Sequence, residues 1–181
     1  MSGNVNVAEI VRFPERDGIL TNSATTLKGA KLPSMRFFLA GIMQGSHLGF
    51  VLHNQDYRAR LKQLLAEHFP GAEIYDPLAD HANSLDYDEA KGREVFWHHN
   101  RLCREVDVVL AFVPEASMGT AIEMWEAHEH GRTVVTISPL KHNWAVKFLS
   151  HVLYGDIEEF ERAVTSGQLA ARLREIGGSK D

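Results

Sequence analysis

Ser117, Gly119, Thr120 and Glu123 fall within one short stretch and offer two hydroxyls, a glycine that permits close approach, and a carboxylate. An apolar run, residues 108–113, leads into them and stops at Pro114; residues of helical pattern follow. That order reads as a buried parallel strand, a small-residue loop and a helix. The free N–H groups at such a helix start attract anions such as phosphate. Glu123, four residues beyond Gly119, faces whatever the loop holds, so the stretch pairs an anion cradle with a nucleophile. A second small-residue turn follows residues 35–41, where Gly41 is succeeded by Gln44, Gly45 and Ser46. Strand, glycine-rich turn and helix is the layout in which a first βα connection receives a phosphate, although steric demands alone produce the same turn.

Fewer residues elsewhere carry chemistry. Asp76 stands at the carboxyl end of a short strand, residues 72–75, where ligands of α/β sheets collect. The polar residues after it, including Asp80, His81, Asp86 and Asp88, read as a solvated loop. His98 and His99 are adjacent on a helical segment, about 100° apart, a poor arrangement for sharing one metal ion. No metal and no cofactor are expected. The single cysteine, Cys103, excludes an internal disulfide framework and a multi-cysteine zinc cluster.

The elements that must position these groups alternate. Strand-like runs at residues 35–41, 72–75, 107–113 and 132–138 are separated by helical patterns at 52–69, 89–106 and about 118–131. Residues 142–153 read as a loop or short helix, and 156–176 as one final amphipathic helix. Strand–helix alternation predicts a three-layer α/β domain, a doubly wound parallel sheet of four to five strands. The domain is placed at residues 35–176, with residues 1–34 as an N-terminal tail and 177–181 as a C-terminal one. At 181 residues, 44% hydrophobic and 24% charged, one core is the expected content. The net charge of −5 supplies no basic field, which argues against a nucleic-acid polymer as partner and leaves a small nucleotide or nucleoside open. With no apolar run near the roughly 20 residues of a membrane span and no leader-like N-terminus, a soluble cytoplasmic protein is expected.

Taken together, residues 38–41 with their turn, residues 107–112, the Ser117-x-Gly119-Thr120-x-x-Glu123 segment and residues 131–135 resemble the nucleoside 2-deoxyribosyltransferase superfamily. That superfamily also holds nucleoside 5′-monophosphate N-glycosidases and cytidylate hydrolases. The resemblance spans residues 35–156 and implies a flavodoxin-like sheet, a homodimer or higher homo-oligomer, and cleavage of an N-glycosidic bond with Glu123 as nucleophile. Ser117 matches the monophosphate hydrolases; the transferases resemble one another in an aspartate there. A phosphate within about 4 Å of a carboxylate meets repulsion of about 1 kcal/mol even in bulk water. The expected activity is therefore hydrolysis of a nucleoside 5′-monophosphate to free base and sugar 5-phosphate. The alternatives are a 2-deoxyribosyltransferase on free nucleosides and a nucleotide-binding protein without turnover. Three positions depart from the family pattern: Phe38 replaces a tyrosine, His99 an aspartate and Gln44 a basic residue. His99 could donate a proton near neutral pH, and Asp76 and Tyr57 are further candidates for base or sugar contact. The expected catalytic residues are thus Glu123 and His99, and the expected substrate-binding residues Gly41, Gln44, Gly45, Ser46, Tyr57, Asp76, Ser117, Gly119 and Thr120.

Overall fold

The computed structural model describes residues 34–43 and 52–178. Gln44, Gly45 and Ser46 lie outside the described residues, as does the N-terminal stretch up to residue 33. Five strands, β1 (Arg36–Gly41), β2 (Glu73–Tyr75), β3 (Val108–Phe112), β4 (Thr133–Ile137) and β5 (Val152–Tyr154), form one sheet in the order β2-β1-β3-β4-β5. All neighbouring pairs are parallel. This is the flavodoxin-like doubly wound order. The helices are α1 (Asp56–His68), α2 (Pro77–Asp80), α3 (Glu89–Glu105), α4 (Met118–Glu129), α5 (Trp144–Leu149), α6 (Ile157–Thr165) and α7 (Gln168–Gly178).

Period-two alternation divides the buried strand residues between two faces. Phe37, Leu39, Val108, Leu110, Val135 and Ile137 pack with Leu61 and Leu65 of α1 and with Phe160 and Leu169 of α6 and α7. The intervening Phe38, Ala40, Val109, Ala111 and Val134 are equally buried on the opposite face, where α3 and α4 lie side by side. Among the described residues no helix is long and apolar enough to cross a membrane.

Three expectations change. The segment expected as loop or short helix before residue 154 contains both α5 and a fifth strand, because three residues, Val152–Tyr154, suffice to pair with Val135–Ile137 of β4. The single C-terminal helix is two, broken at Gly167, whose φ of 76° lies in the left-handed region that glycine adopts freely. The stretch after Asp76 is partly ordered: Asp76 caps α2 by accepting a bond from the Leu78 amide, with Pro77 at the first helical position, and a 3-10 turn spans Ser84–Asp86.

From β1 the chain turns to α1 and β2, whereas from β3 it turns the other way to α4 and β4. The carboxyl ends of β1 and β3 therefore border a crevice at the point where the strand order reverses, the usual ligand position in open sheets. Gly41 closes β1 there because Tyr57 of α1 occupies the space a side chain would need. A Cβ at Gly41 would overlap the Tyr57 hydroxyl and lie 3.1 Å from the ring carbon that bears it. Gly41→Ala is expected to cost about 1–3 kcal/mol, read from denaturant midpoints, with part of the loss recovered in the Gly41→Ala/Tyr57→Phe double variant. A midpoint equal to that of the parent would show that the contact is not tight.

Candidate active site

The crevice holds a cavity of about 290 Å³, with Gly41 on one rim, Ser117, Gly119 and Thr120 on another, and Glu123 within it. Thus Glu123 and the loop singled out with it open into one space. Ser117 is the N-cap of α4, its Oγ accepting from the Thr120 amide at 3.4 Å and from the Thr120 hydroxyl at 3.0 Å. A hydroxyl that accepts twice still has its own proton to give, and among the described residues that proton has no acceptor. The amides of Met118 and Gly119 open the helix and have no partner within it. A Cβ at Gly119 would meet nothing within 4 Å, so the glycine serves an open approach to the backbone rather than a tight turn. Together these groups form an anion-accepting lip.

Glu123 sits one turn further along α4, and no hydrogen bond or ion pair reaches its carboxyl among the described residues. Protein surrounds it on the sides away from the cavity. Removal of water from the charged form pushes its pKa up to about 8, offset only in part by the positive charge of Arg58. A carboxyl held free and poised near neutrality is the state expected of a catalytic group.

Arg58 is a site residue that the sequence reading passed over. Only 2% of it is exposed. It bonds Asp76 at 2.9 Å, the Leu39 carbonyl at 3.0 Å, the Gly41 carbonyl at 3.3 Å and Gln55 at 2.7 Å. The guanidinium so ties the end of β1 to the end of β2 while lining the cavity. Its position three and seven residues before Leu61 and Leu65, on the buried stripe of α1, is the signal that would have found it. Asp76 is accordingly engaged by Arg58 and by the α2 amide, and does not line the cavity. Tyr57 likewise lies beneath rather than in it, its ring 4.3 Å from that of Phe112 and its hydroxyl 3.5 Å from the Ile42 carbonyl. Burial pushes that phenol up to about 12.

His99 does line the cavity. Burial, together with the neighbouring His81, His98 and Arg58, lowers its pKa to about 3. The expectation of an imidazolium donor is therefore corrected: the ring is neutral at physiological pH, and what it can offer is a hydrogen bond. An adjoining cavity of about 360 Å³ shares His99, Phe96, Pro77 and Met43 with the first. On its wall His81 Nδ1 and the Tyr87 hydroxyl are hydrogen-bonded at 3.0 Å. Asn100, also unforeseen, lines the Glu123 cavity at 1% exposure.

The fold is that of a flavodoxin-like α/β protein, with a cavity at the carboxyl edge of its sheet where the strand order reverses. In particular, a 2-deoxyribosyltransferase from the psychrotolerant bacterium Bacillus psychrosaccharolyticus has a similar structure, with a TM-score of 0.54 at 16% identity over 70% of this chain and 90% of that one. The CMP N-glycosidase BcmB of Clostridium botulinum gives a TM-score of 0.44 at 20% identity over 72% of this chain and 98% of its own. A conserved protein of Enterococcus faecalis V583 gives 0.47 at 14% identity over 79% and 99%. No protein-family model matches the sequence, and no curated protein does. The sheet is therefore the one that the motif resemblance implied, and the solved structures sharing it include a 2-deoxyribosyltransferase.

Proposed function

We propose that the protein cleaves the N-glycosidic bond of a nucleoside 5′-monophosphate, with Glu123 as the nucleophile. The observation that carries this reading is the uncommitted Glu123 carboxyl in a cavity whose other lip is the Ser117–Thr120 start of α4. A phosphate at that lip meets helix amides and the Ser117 proton, with no carboxylate there to repel it. The sugar then lies between lip and carboxylate, and the base extends toward the His81–Tyr87 cavity. As the bond from C1′ to the base nitrogen breaks, its electron pair leaves with the base, which takes up a proton. A Glu123 oxygen forms a bond to C1′ and stabilises the positive charge developing on the sugar. Water then adds at C1′ as the C1′–Glu123 oxygen bond breaks, releasing sugar 5-phosphate and the free carboxylate, and the water's second proton returns to solvent in place of the one the base took up.

The attacking species is the carboxylate, so kcat/KM is expected to rise about tenfold per pH unit on the acid side and level off near the Glu123 pKa of about 8. A profile flat between about pH 5 and 8 would remove Glu123 ionisation from the rate equation. The fold shared with a 2-deoxyribosyltransferase favours a second reading, transfer of the sugar to an acceptor base. Incubation with mixed nucleosides and nucleotides, with and without an acceptor base, separates the two. Free base from monophosphates alone supports hydrolysis, base exchange on free nucleosides supports transfer, and no product from either substrate class overturns both.

A further inference from the structure

Asn100 has a polar atom for which the described residues supply no partner. The side chain is 1% exposed, and its amide nitrogen donates to the Phe96 carbonyl at 2.8 Å. That bond fixes the amide orientation, since the reverse would set oxygen against oxygen. The other atom, Oδ1, is buried and has no hydrogen-bond partner among the described residues. The same holds for Nε2 of the adjacent His99. Both residues line the cavity that contains Glu123, on the neighbouring helix α3. Buried acceptors left unpaired are uncommon, because each forfeits its bond to water with nothing in return.

An amide oxygen can only accept. A phosphate dianion has no proton to give it, so this wall does not serve the phosphate, which belongs at the opposite lip. It calls for a hydroxyl or N–H donor. Resting on the glycosidase reading, in which Glu123 addresses C1′ in the same cavity, the donor nearest the reacting carbon is a hydroxyl on C2′. We infer that Asn100 is a specificity-determining residue that accepts a hydrogen bond from the sugar 2′-hydroxyl, making this a site for ribonucleotides rather than deoxyribonucleotides. A deoxyribose in that place leaves the buried Oδ1 unpaired, and sites built to bond a hydroxyl reject analogues that lack it. A hydrogen-bonded 2′-hydroxyl also helps as positive charge grows on the sugar.

The test uses Glu123→Gln protein, which binds without turnover, and measures by calorimetry the dissociation constants of ribo- and deoxyribonucleoside 5′-monophosphates paired by base. A preference for the ribo form of about 10- to 100-fold is expected, collapsing to near unity when Asn100→Leu is added. The melting temperature of Asn100→Leu should change little: the bond from the amide nitrogen to the Phe96 carbonyl is lost, but the unpaired buried Oδ1 is removed with it. Asn100→Ala carries the same comparison if the leucine does not fit. Binding without ribo preference, or a variant that changes the choice of base and not of sugar, overturns the assignment of Asn100 while leaving the glycosidase reading in place. Failure of every monophosphate to bind overturns both.

Discussion

Glu123→Gln is expected to lower the rate of base release by at least about 1,000-fold, in keeping with the loss of a nucleophile whose partners in the site remain. Glutamine keeps the shape and much of the polarity of glutamate but cannot stabilise a positive sugar carbon with a full charge. The fall should appear in kcat more than in KM, because the phosphate lip and the α3 wall are untouched. Stability should move the other way. The folded-state pKa of about 8 exceeds the unfolded value of about 4.3, so the native protein holds a proton that the unfolded chain releases between them. The sign is therefore opposite to that of a salt-bridged acid: stability falls as pH rises from about 4 to about 8, and the cost is fully present above that. Contact with the cavity solvent moderates this to about 3 kcal/mol. Urea melts of parent and variant should coincide near pH 4 and separate in favour of Glu123→Gln at pH 9. A variant that is inactive and less stable at pH 9 would point to a structural role for Glu123.

Arg58→Met should be the most destabilising single change in the site. It leaves the Asp76 carboxylate, whose side chain is 11% exposed, without its cation, and strips donors from the Leu39 and Gly41 carbonyls. Breaking a buried pair from one side costs about 3–5 kcal/mol, roughly 10 °C in Tm for a chain of this size. Removing both charges in Arg58→Met/Asp76→Leu should recover much of that, because a hydrophobic pair can replace a buried ion pair. Activity should not recover with it. Arg58 is the charge that opposes the desolvation of Glu123, so in both variants the acid limb of the pH–rate profile moves to higher pH. A double variant with parental stability and an unshifted profile would separate Arg58 from the chemistry of Glu123.

Much of this architecture was legible because it depends on local pattern. The runs at 107–113 and 132–138 are almost wholly apolar or β-branched, and the strands within them, β3 and β4, are buried on both faces apart from the half-buried Phe112. Ser117 and Glu123 could be placed because an N-cap and its first turns have a fixed geometry. What escaped depends on partners far along the chain. β5 is three residues long and exists only by pairing with β4. Arg58 looks like a solvated charge until the carbonyls of β1 and the carboxylate at the end of β2 converge on it. His99 seems a ready acid by residue type, yet burial and the cationic and imidazole groups around it hold it neutral. Tyr57 and Asp76 stand beside the site, the first packed against Gly41 and the second paired with Arg58.

The most direct test of the central claim is to look for the sugar on Glu123 itself. A 2′-fluoro nucleoside 5′-monophosphate, supplied at saturating concentration because it lacks the 2′-hydroxyl, slows breakdown of a glycosyl–enzyme ester by withdrawing electrons from the charged sugar carbon, and peptide mass spectrometry can locate what remains attached. The expected result is a mass increase of one fluoro-sugar phosphate on the peptide containing Glu123, absent from Glu123→Gln. Release of base with no adduct on that peptide, or an adduct on another residue, would contradict the assignment of Glu123 as nucleophile.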